Sequence, residues 1–264
     1  MKLEHNRNIL IYYIPLLYTF FTRIYIGKKI SRFYMMDFVL VFPVFLFHDI
    51  HFNCVNCIVL RFFIAIIAIL ISYLFYESFY IINDIIAVRY EKSPTLRAPQ
   101  INAPIAISIR IAAFGLINLV MIYIGYLLES YVILSIFLSI LAGSLHNAQR
   151  DNLKRVPTHA MMRISRWFLI ASYFAVLTYL SYYHFLSLFK DIIIIYFPHL
   201  LMVEITYYSY NLSKSGLNIP KIRYPLFISY GIWFPILMFI TNNLLELSGY
   251  ITVSVSYTHL TLPT

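Results

Sequence analysis

The sequence predicts an all-α, polytopic transmembrane helix bundle, and three observations lead to this fold class. Of the 264 residues, 61% are apolar and only 12% are charged, whereas charged residues make up about a quarter of a typical soluble domain. The mean hydropathy is +0.77. Several apolar runs reach the roughly 20 residues that one helical crossing of a bilayer needs. We therefore expect an integral membrane protein.

Eight helices are predicted from the lengths of these apolar runs. They are residues 8–27, 36–50, 57–82, 104–128, 130–146, 165–187, 191–210 and 224–246. The first is expected to be an extra N-terminal membrane helix within residues 1–29. The remaining helices are expected to form the main bundle within residues 30–255.

The end of the chain differs in composition from everything before it. Residues 256–264 lose the Ile, Phe and Tyr richness of the rest and resemble translated sequencing-adaptor read-through. We expect them to be a non-native tail and the bundle to be incomplete at its C-terminus.

Basic residues alternate strongly between the two ends of the predicted helices. Fifteen Lys and Arg residues fall in or beside the connections on one side, and only Lys190 falls on the other. Cytoplasmic loops of membrane proteins carry the excess of Lys and Arg. The basic side is therefore expected to face the cytoplasm, in a bacterial inner membrane. This distribution accounts for the formal charge of +9, so no nucleic-acid partner is expected.

One stretch is conspicuous because the whole chain has only eleven acidic residues. Glu77, Asp84 and Glu91 follow one another at intervals of seven, where an apolar helix gives way to a basic connection. On a helix this spacing places side chains on one face. Such a line of carboxylates could hold a hard divalent cation such as Mg²⁺, which prefers oxygen ligands. The alternative is a solvated helix end whose acids balance nearby cations.

The residues around Asp84 resemble a known motif. Asn83-Asp84-x-x-Ala87-x-x-x-Glu91 is similar to the first aspartate-rich motif of the UbiA superfamily of membrane prenyltransferases, Asn-Asp-x-x-Asp-x-x-x-Asp. In that family the motif closes a core helix on the cytoplasmic side, which is where it falls here. Ala87 departs from the pattern because the family has a carboxylate there.

Three further stretches extend the resemblance. Arg97 resembles a residue of the basic stretch that follows the first motif. Lys154-Arg155 is similar to the Lys-Arg pair with which family members bind a diphosphate. The second aspartate-rich motif corresponds to residues 204–216, where Glu204 is the only acid. A two-metal site built from this chain would therefore be short of negative charge.

The resemblance implies the UbiA prenyltransferase fold and a Mg²⁺-dependent transfer of a prenyl group from a prenyl diphosphate to an aromatic or other lipid-pathway acceptor. The partners it implies are the prenyl diphosphate, a hydrophobic acceptor and membrane lipids. It assigns a catalytic and metal-binding role to three carboxylates: Asp84, Glu91 and Glu204. It assigns binding of the diphosphate to four other side chains: Asn83, Arg97, Lys154 and Arg155. Because few acidic residues are present in the two motifs, an alternative stays open. The chain would then be a catalytically degenerate relative that binds an isoprenoid lipid or a partner without chemistry.

Three other arginines lie within or beside predicted helices. Arg110 is expected to snorkel to the cytoplasmic interface, with a contact to diphosphate as the alternative. Arg163 and Arg166 share a helix face and are expected to bind anionic lipid headgroups, with a catalytic role as the alternative.

Overall fold

Four long apolar helices dominate the structure, a computed structural model that describes residues 9–26, 29–30, 55–86, 88, 101–126, 129–149, 155–179, 185–190, 192–193 and 204. They are α1 (Val55–Ile81), α2 (Ala103–Tyr123), α3 (Ser130–Ala148) and α4 (Arg155–Leu177). Each is long and apolar enough to cross a membrane, which fits an integral membrane protein. The rest of the described chain is helical turns and connections, apart from a two-residue antiparallel pairing of Tyr25–Ile26 with Lys29–Ile30. The predicted all-α class is confirmed for this part of the chain.

The observed bounds differ from the predicted ones most at α4. This helix begins at Arg155 and ends at Leu177, whereas the sequence predicted a helix over residues 165–187. Its first three turns have the polarity of a connection because they contain charged side chains, which the fold buries inside the bundle. The predicted helices 36–50 and 224–246 lie outside the described residues, and of 191–210 only residues 192, 193 and 204 are described.

The N-terminal segment, residues 9–26, is not the single helix that the sequence predicted over 8–27. It consists of a 3₁₀ turn (Ile9–Tyr13), a short α-helical turn (Leu17–Thr19) and a π-helical turn (Phe20–Ile24). Pro15 explains the break, since proline has no N–H to donate and disfavours helical backbone in the residue before it. Leu16 follows with a φ of +71°, in the left-handed region.

Helix α2 begins at a well-defined cap. The side chain of Asn102 accepts a hydrogen bond from the Ile105 amide at 3.3 Å, and Pro104 occupies the first turn, where its missing N–H costs nothing. The backbone N–H of Asn102 in turn donates to the Tyr13 hydroxyl at 2.8 Å. The cap therefore ties the start of α2 to the N-terminal segment.

Helix α4 is the most deeply buried of the four long helices. It packs against both α1 and α3, and α1 packs in addition against α2 and α3. Trp167, Tyr173 and the phenol of Tyr76 are almost completely buried along these contacts. Tyr76 donates to the hydroxyl of Ser139 at 3.0 Å and lies 2.6 Å from that of Ser165, so one side chain links α1, α3 and α4.

Candidate functional site

The candidate site lies where α1 ends in a π-helical turn, Ile82–Ile86. Turns of this kind are rare and recur at functional sites because the extra residue re-aims the side chains around it. This turn carries Asn83 and Asp84, the core of the predicted first motif. Asp84 is only 5% exposed, and a buried carboxylate needs hydrogen-bond donors or cations around it.

A chain of hydrogen bonds runs through this turn. The Tyr18 hydroxyl donates to Asp84 Oδ2 at 3.1 Å, and the Asn83 amide nitrogen donates to Asp84 Oδ1 at 3.2 Å. The side-chain oxygen of Asn83, Oδ1, accepts a hydrogen bond from Arg155 Nη2 at 2.7 Å. Three separate elements thus meet at this turn: the N-terminal segment, the end of α1 and the start of α4.

The first turns of α4 present a cationic face to this region. Arg155, His159, Arg163 and Arg166 follow at spacings of four, four and three residues, which places them on one side of the helix. The three arginines are each at most 6% exposed. Arg163 and Arg166 are therefore buried inside the bundle, and the expectation that they bind lipid headgroups is wrong.

Arg166 is held by aromatic side chains of α1. Its Nη1 donates to the Tyr80 hydroxyl at 2.6 Å, and its guanidinium carbon lies 5.1 Å from the centre of the Tyr73 ring. The Tyr76 ring is 6.0 Å away. A guanidinium over aromatic faces is attracted by their π electrons, so this part of the site combines positive charge with an aromatic wall.

Glu204 meets the same face of α4 one turn further along. Its Oε1 lies 2.8 Å from His159 Nδ1 and 3.9 Å from Arg163 Nε. Its Oε2 is buried and has no hydrogen-bond partner among the described residues. The His146 ring lies 5.8 Å from the His159 ring, and His146 Nδ1 is 3.2 Å from the Thr158 hydroxyl.

Positive charge predominates in this cluster. Within the described part of the chain it contains the guanidiniums of Arg155, Arg163 and Arg166 against the carboxylates of Asp84 and Glu204. Burying a charge is costly unless an opposite charge or strong hydrogen bonds accompany it. Arginines offer planar, bidentate donors that suit phosphate and carboxylate groups. The cluster is therefore suited chemically to an anionic group.

Two of the three carboxylates that the resemblance assigns to magnesium, Asp84 and Glu204, are described, and both already have partners. The oxygens of Asp84 accept from Tyr18 and Asn83, while Glu204 is engaged by His159 and Arg163. No group of three or more His, Cys, Asp or Glu side chains that could hold a metal occurs in the described ranges.

The structure brings together three of the seven predicted site residues, Asn83, Asp84 and Arg155. Glu204 contacts α4 one turn beyond Arg155. The other three predicted site residues lie outside the described part of the chain: Glu91, Arg97 and Lys154.

Glu77 and Arg110 have a different place from the one expected. Both side chains are fully buried and form an ion pair of 3.0 Å between Glu77 Oε2 and Arg110 Nε. The snorkelling predicted for Arg110 is therefore wrong. Glu77 belongs to the same sequence stretch as Asp84, but its partners lie in the N-terminal segment and α2 rather than at the candidate site.

Sequence reasoning missed Tyr18 and His159 as members of the site. His159 follows Arg155 by four residues, so helical spacing would have placed them together had the start of α4 been predicted correctly. Tyr18 carries no such signal, because it is one of 24 tyrosines and approaches Asp84 across 66 positions of sequence.

No family model, curated protein or solved structure matches the chain.

Proposed function

We propose that this protein is a membrane prenyltransferase that moves a prenyl group from a prenyl diphosphate to an aromatic or other hydrophobic acceptor. The observation that carries the proposal is the 2.7 Å hydrogen bond between Arg155 Nη2 and Asn83 Oδ1. These residues are 72 positions apart and belong to the two stretches that resemble diphosphate-binding motifs of the UbiA superfamily. A shared diphosphate would require those stretches to be neighbours.

In this proposal Arg155 and Asn83 bind oxygens of the diphosphate, and the burial of the cluster strengthens those charge-assisted hydrogen bonds. The neighbouring cationic side chains of α4 stabilise the negative charge that develops on the leaving diphosphate. The proposal includes a UbiA-type bundle of about eight helices in a bacterial inner membrane, with the site facing the cytoplasm. It also includes the Mg²⁺ requirement assigned to Asp84, Glu91 and Glu204.

Diphosphate release is the direct test. Full-length protein in lipid nanodiscs would be incubated with allylic prenyl diphosphates of several chain lengths, a set of aromatic acceptors and Mg²⁺. We expect release in the wild type, loss of release in Asp84→Ala and retention in Glu129→Gln. Glu129 is a matched control because it is an exposed carboxylate at the start of α3. Absence of release from the wild type, or equal release from Asp84→Ala, would refute the proposal.

A second candidate function is binding of an isoprenoid lipid or a partner without chemistry. The engagement of Glu204 by His159 at 2.8 Å, with Arg163 nearby, favours it, because a carboxylate that already contacts these side chains is less available to a metal. Thermal unfolding distinguishes the two functions. Stabilisation by a prenyl diphosphate in the presence of a chelator, without turnover when Mg²⁺ is added, would favour binding alone.

A further inference from the structure

The N-terminal segment contacts the candidate site through the side chain of Tyr18. That side chain is fully buried, and its hydroxyl donates to Asp84 Oδ2 at 3.1 Å. Its ring packs edge-on against Tyr12, with the ring centres 6.2 Å apart. Its backbone carbonyl accepts from the Thr22 hydroxyl at 2.7 Å. The ring and the backbone of Tyr18 are thus both fixed by contacts, so its hydroxyl has a defined position relative to the carboxylate.

The buried ion pair of Glu77 and Arg110 fixes the segment that carries Tyr18. Glu77 accepts hydrogen bonds from the backbone amides of Leu16 at 2.7 Å and Thr19 at 2.6 Å. These amides flank Tyr18 in sequence. Because the carboxylate lies on α1, two turns before Asp84, the same helix holds both the segment and the residue that Tyr18 contacts.

Arg110 completes this arrangement from α2. Its guanidinium donates to the backbone carbonyls of Tyr12, Tyr13 and Ile14 at 2.8 to 3.1 Å. These carbonyls precede Pro15, where the helical hydrogen-bond pattern breaks. Backbone groups released by a helix break inside a membrane protein must be satisfied by neighbouring side chains. The ion pair therefore replaces hydrogen bonds of the backbone and gives the segment a specific docked conformation.

We infer that Tyr18 is a positioning residue for Asp84, and that the N-terminal segment is part of the candidate site rather than a separate membrane anchor. The inference rests on the proposed function, since it assigns Asp84 a role in prenyl transfer. A carboxylate has two oxygens and can rotate. Donors on both oxygens, Tyr18 on Oδ2 and Asn83 on Oδ1, hold it in one orientation relative to Arg155.

Tyr18→Phe tests this inference, with Tyr12→Phe as the matched control. Both substitutions remove one hydroxyl from a buried tyrosine of the same segment, but only Tyr18 touches Asp84. A hydrogen bond to a charged group contributes enough that kcat is expected to fall by about tenfold or more in Tyr18→Phe. The KM for prenyl diphosphate is expected to change little, because the substrate contacts of Arg155 remain. A kcat equal to that of Tyr12→Phe would overturn the inference.

The thermal unfolding midpoint separates positioning from folding. We expect similar midpoints for Tyr18→Phe and Tyr12→Phe without ligand. If the loss of kcat in Tyr18→Phe is accompanied by a much lower midpoint, Tyr18 has a merely structural role and the inference fails. A double variant, Tyr18→Phe with Asp84→Asn, provides a second check. Its kcat is expected to equal that of Asp84→Asn alone, since the hydroxyl acts through that carboxylate. Independent, multiplying losses would contradict the inference.

The inference and the proposed function can fail separately. If the wild type releases no diphosphate, the proposed function fails, and the unfolding shift caused by prenyl diphosphate then tests Tyr18. A shift present in the wild type and Tyr12→Phe but reduced in Tyr18→Phe supports a positioning role in binding. An equal shift in all three proteins, or none in the wild type, overturns it.

Discussion

Arg110 Nε lies 3.0 Å from Glu77 Oε2, and neither side chain is exposed. The pair joins α1 to α2, and beyond the pair it contacts backbone atoms of the N-terminal segment and the Ala106 carbonyl of α2. Replacement of a buried ion pair by apolar residues of similar volume is often neutral or stabilising. This one differs because it also satisfies the carbonyls of Tyr12, Tyr13 and Ile14.

Removal of one partner of this pair should be strongly destabilising. Glu77→Ala leaves a buried guanidinium without its carboxylate, which is expected to lower the free energy of unfolding by about 3–5 kcal/mol. The apolar double variant Glu77→Leu, Arg110→Met should not restore stability, because the backbone groups stay unsatisfied. Reversible unfolding in mixed detergent micelles measures both. Glu129→Ala, at an exposed site, is the control, and a double variant as stable as the wild type would contradict the role described for the pair.

Gly143 is required for the approach of α3 to α1. A Cβ atom at this position would lie 2.5 Å from Cδ1 of the Phe79 ring. Gly143→Ala is therefore expected to destabilise the protein by about 1–3 kcal/mol through overpacking. Gly115→Ala in α2 is the matched control, since a Cβ there meets nothing within 4 Å and should increase stability by up to about 1 kcal/mol.

The unfolding free energies of both glycine variants check this expectation. Phe79→Leu placed in the Gly143→Ala background should recover part of the loss, because the smaller side chain leaves room for the methyl group. Equal effects of the two alanine substitutions would show that the contact between Gly143 and Phe79 does not limit packing.

The Tyr76 hydroxyl links three helices, and its removal should have a modest cost. Tyr76→Phe is expected to lower the free energy of unfolding by about 1 kcal/mol, a typical value for a hydrogen bond. The cost stays modest because Ser165 keeps a bond to the Met162 carbonyl at 3.1 Å. Tyr123→Phe is the control, since Tyr123 is 91% exposed, and the comparison uses the same unfolding assay.

Arg155 should contribute to the binding of prenyl diphosphate. Arg155→Ala removes a charged donor, so the Kd for a prenyl diphosphate is expected to rise by about tenfold or more. Arg155→Lys should give an intermediate Kd, because it keeps the charge but loses the planar fork. Equilibrium binding of a labelled prenyl diphosphate to protein in nanodiscs is the measurement. Lys190→Ala, an exposed cation outside the cluster, should leave Kd unchanged; an unchanged Kd in Arg155→Ala would argue against a diphosphate at this site.

The candidate site was predictable from sequence only in part. Asn83 and Asp84 form a local motif, and Arg155 lies in a basic stretch whose likeness to a diphosphate-binding pair is also local. Tyr18 and His159 were not found, because their membership depends on which segments pack together. Residues 155–164 are helical although their polarity is typical of a connection. Hydropathy cannot distinguish a charged loop from a helix whose arginines face a polar interior.

Composition and apolar run length were sufficient to predict membrane-spanning helices, because a hydrocarbon environment requires the backbone to satisfy its own hydrogen bonds over about 20 residues. Pro15 stands inside the helix predicted over residues 8–27, and a proline in a helix interior can bend or break it. Whether it did break depended on groups far away in the chain. Glu77 and Arg110 supply the hydrogen bonds that make the broken conformation stable, and they do so only because α1, α2 and the N-terminal segment pack together. The orientation of Asp84 by Tyr18 has the same origin.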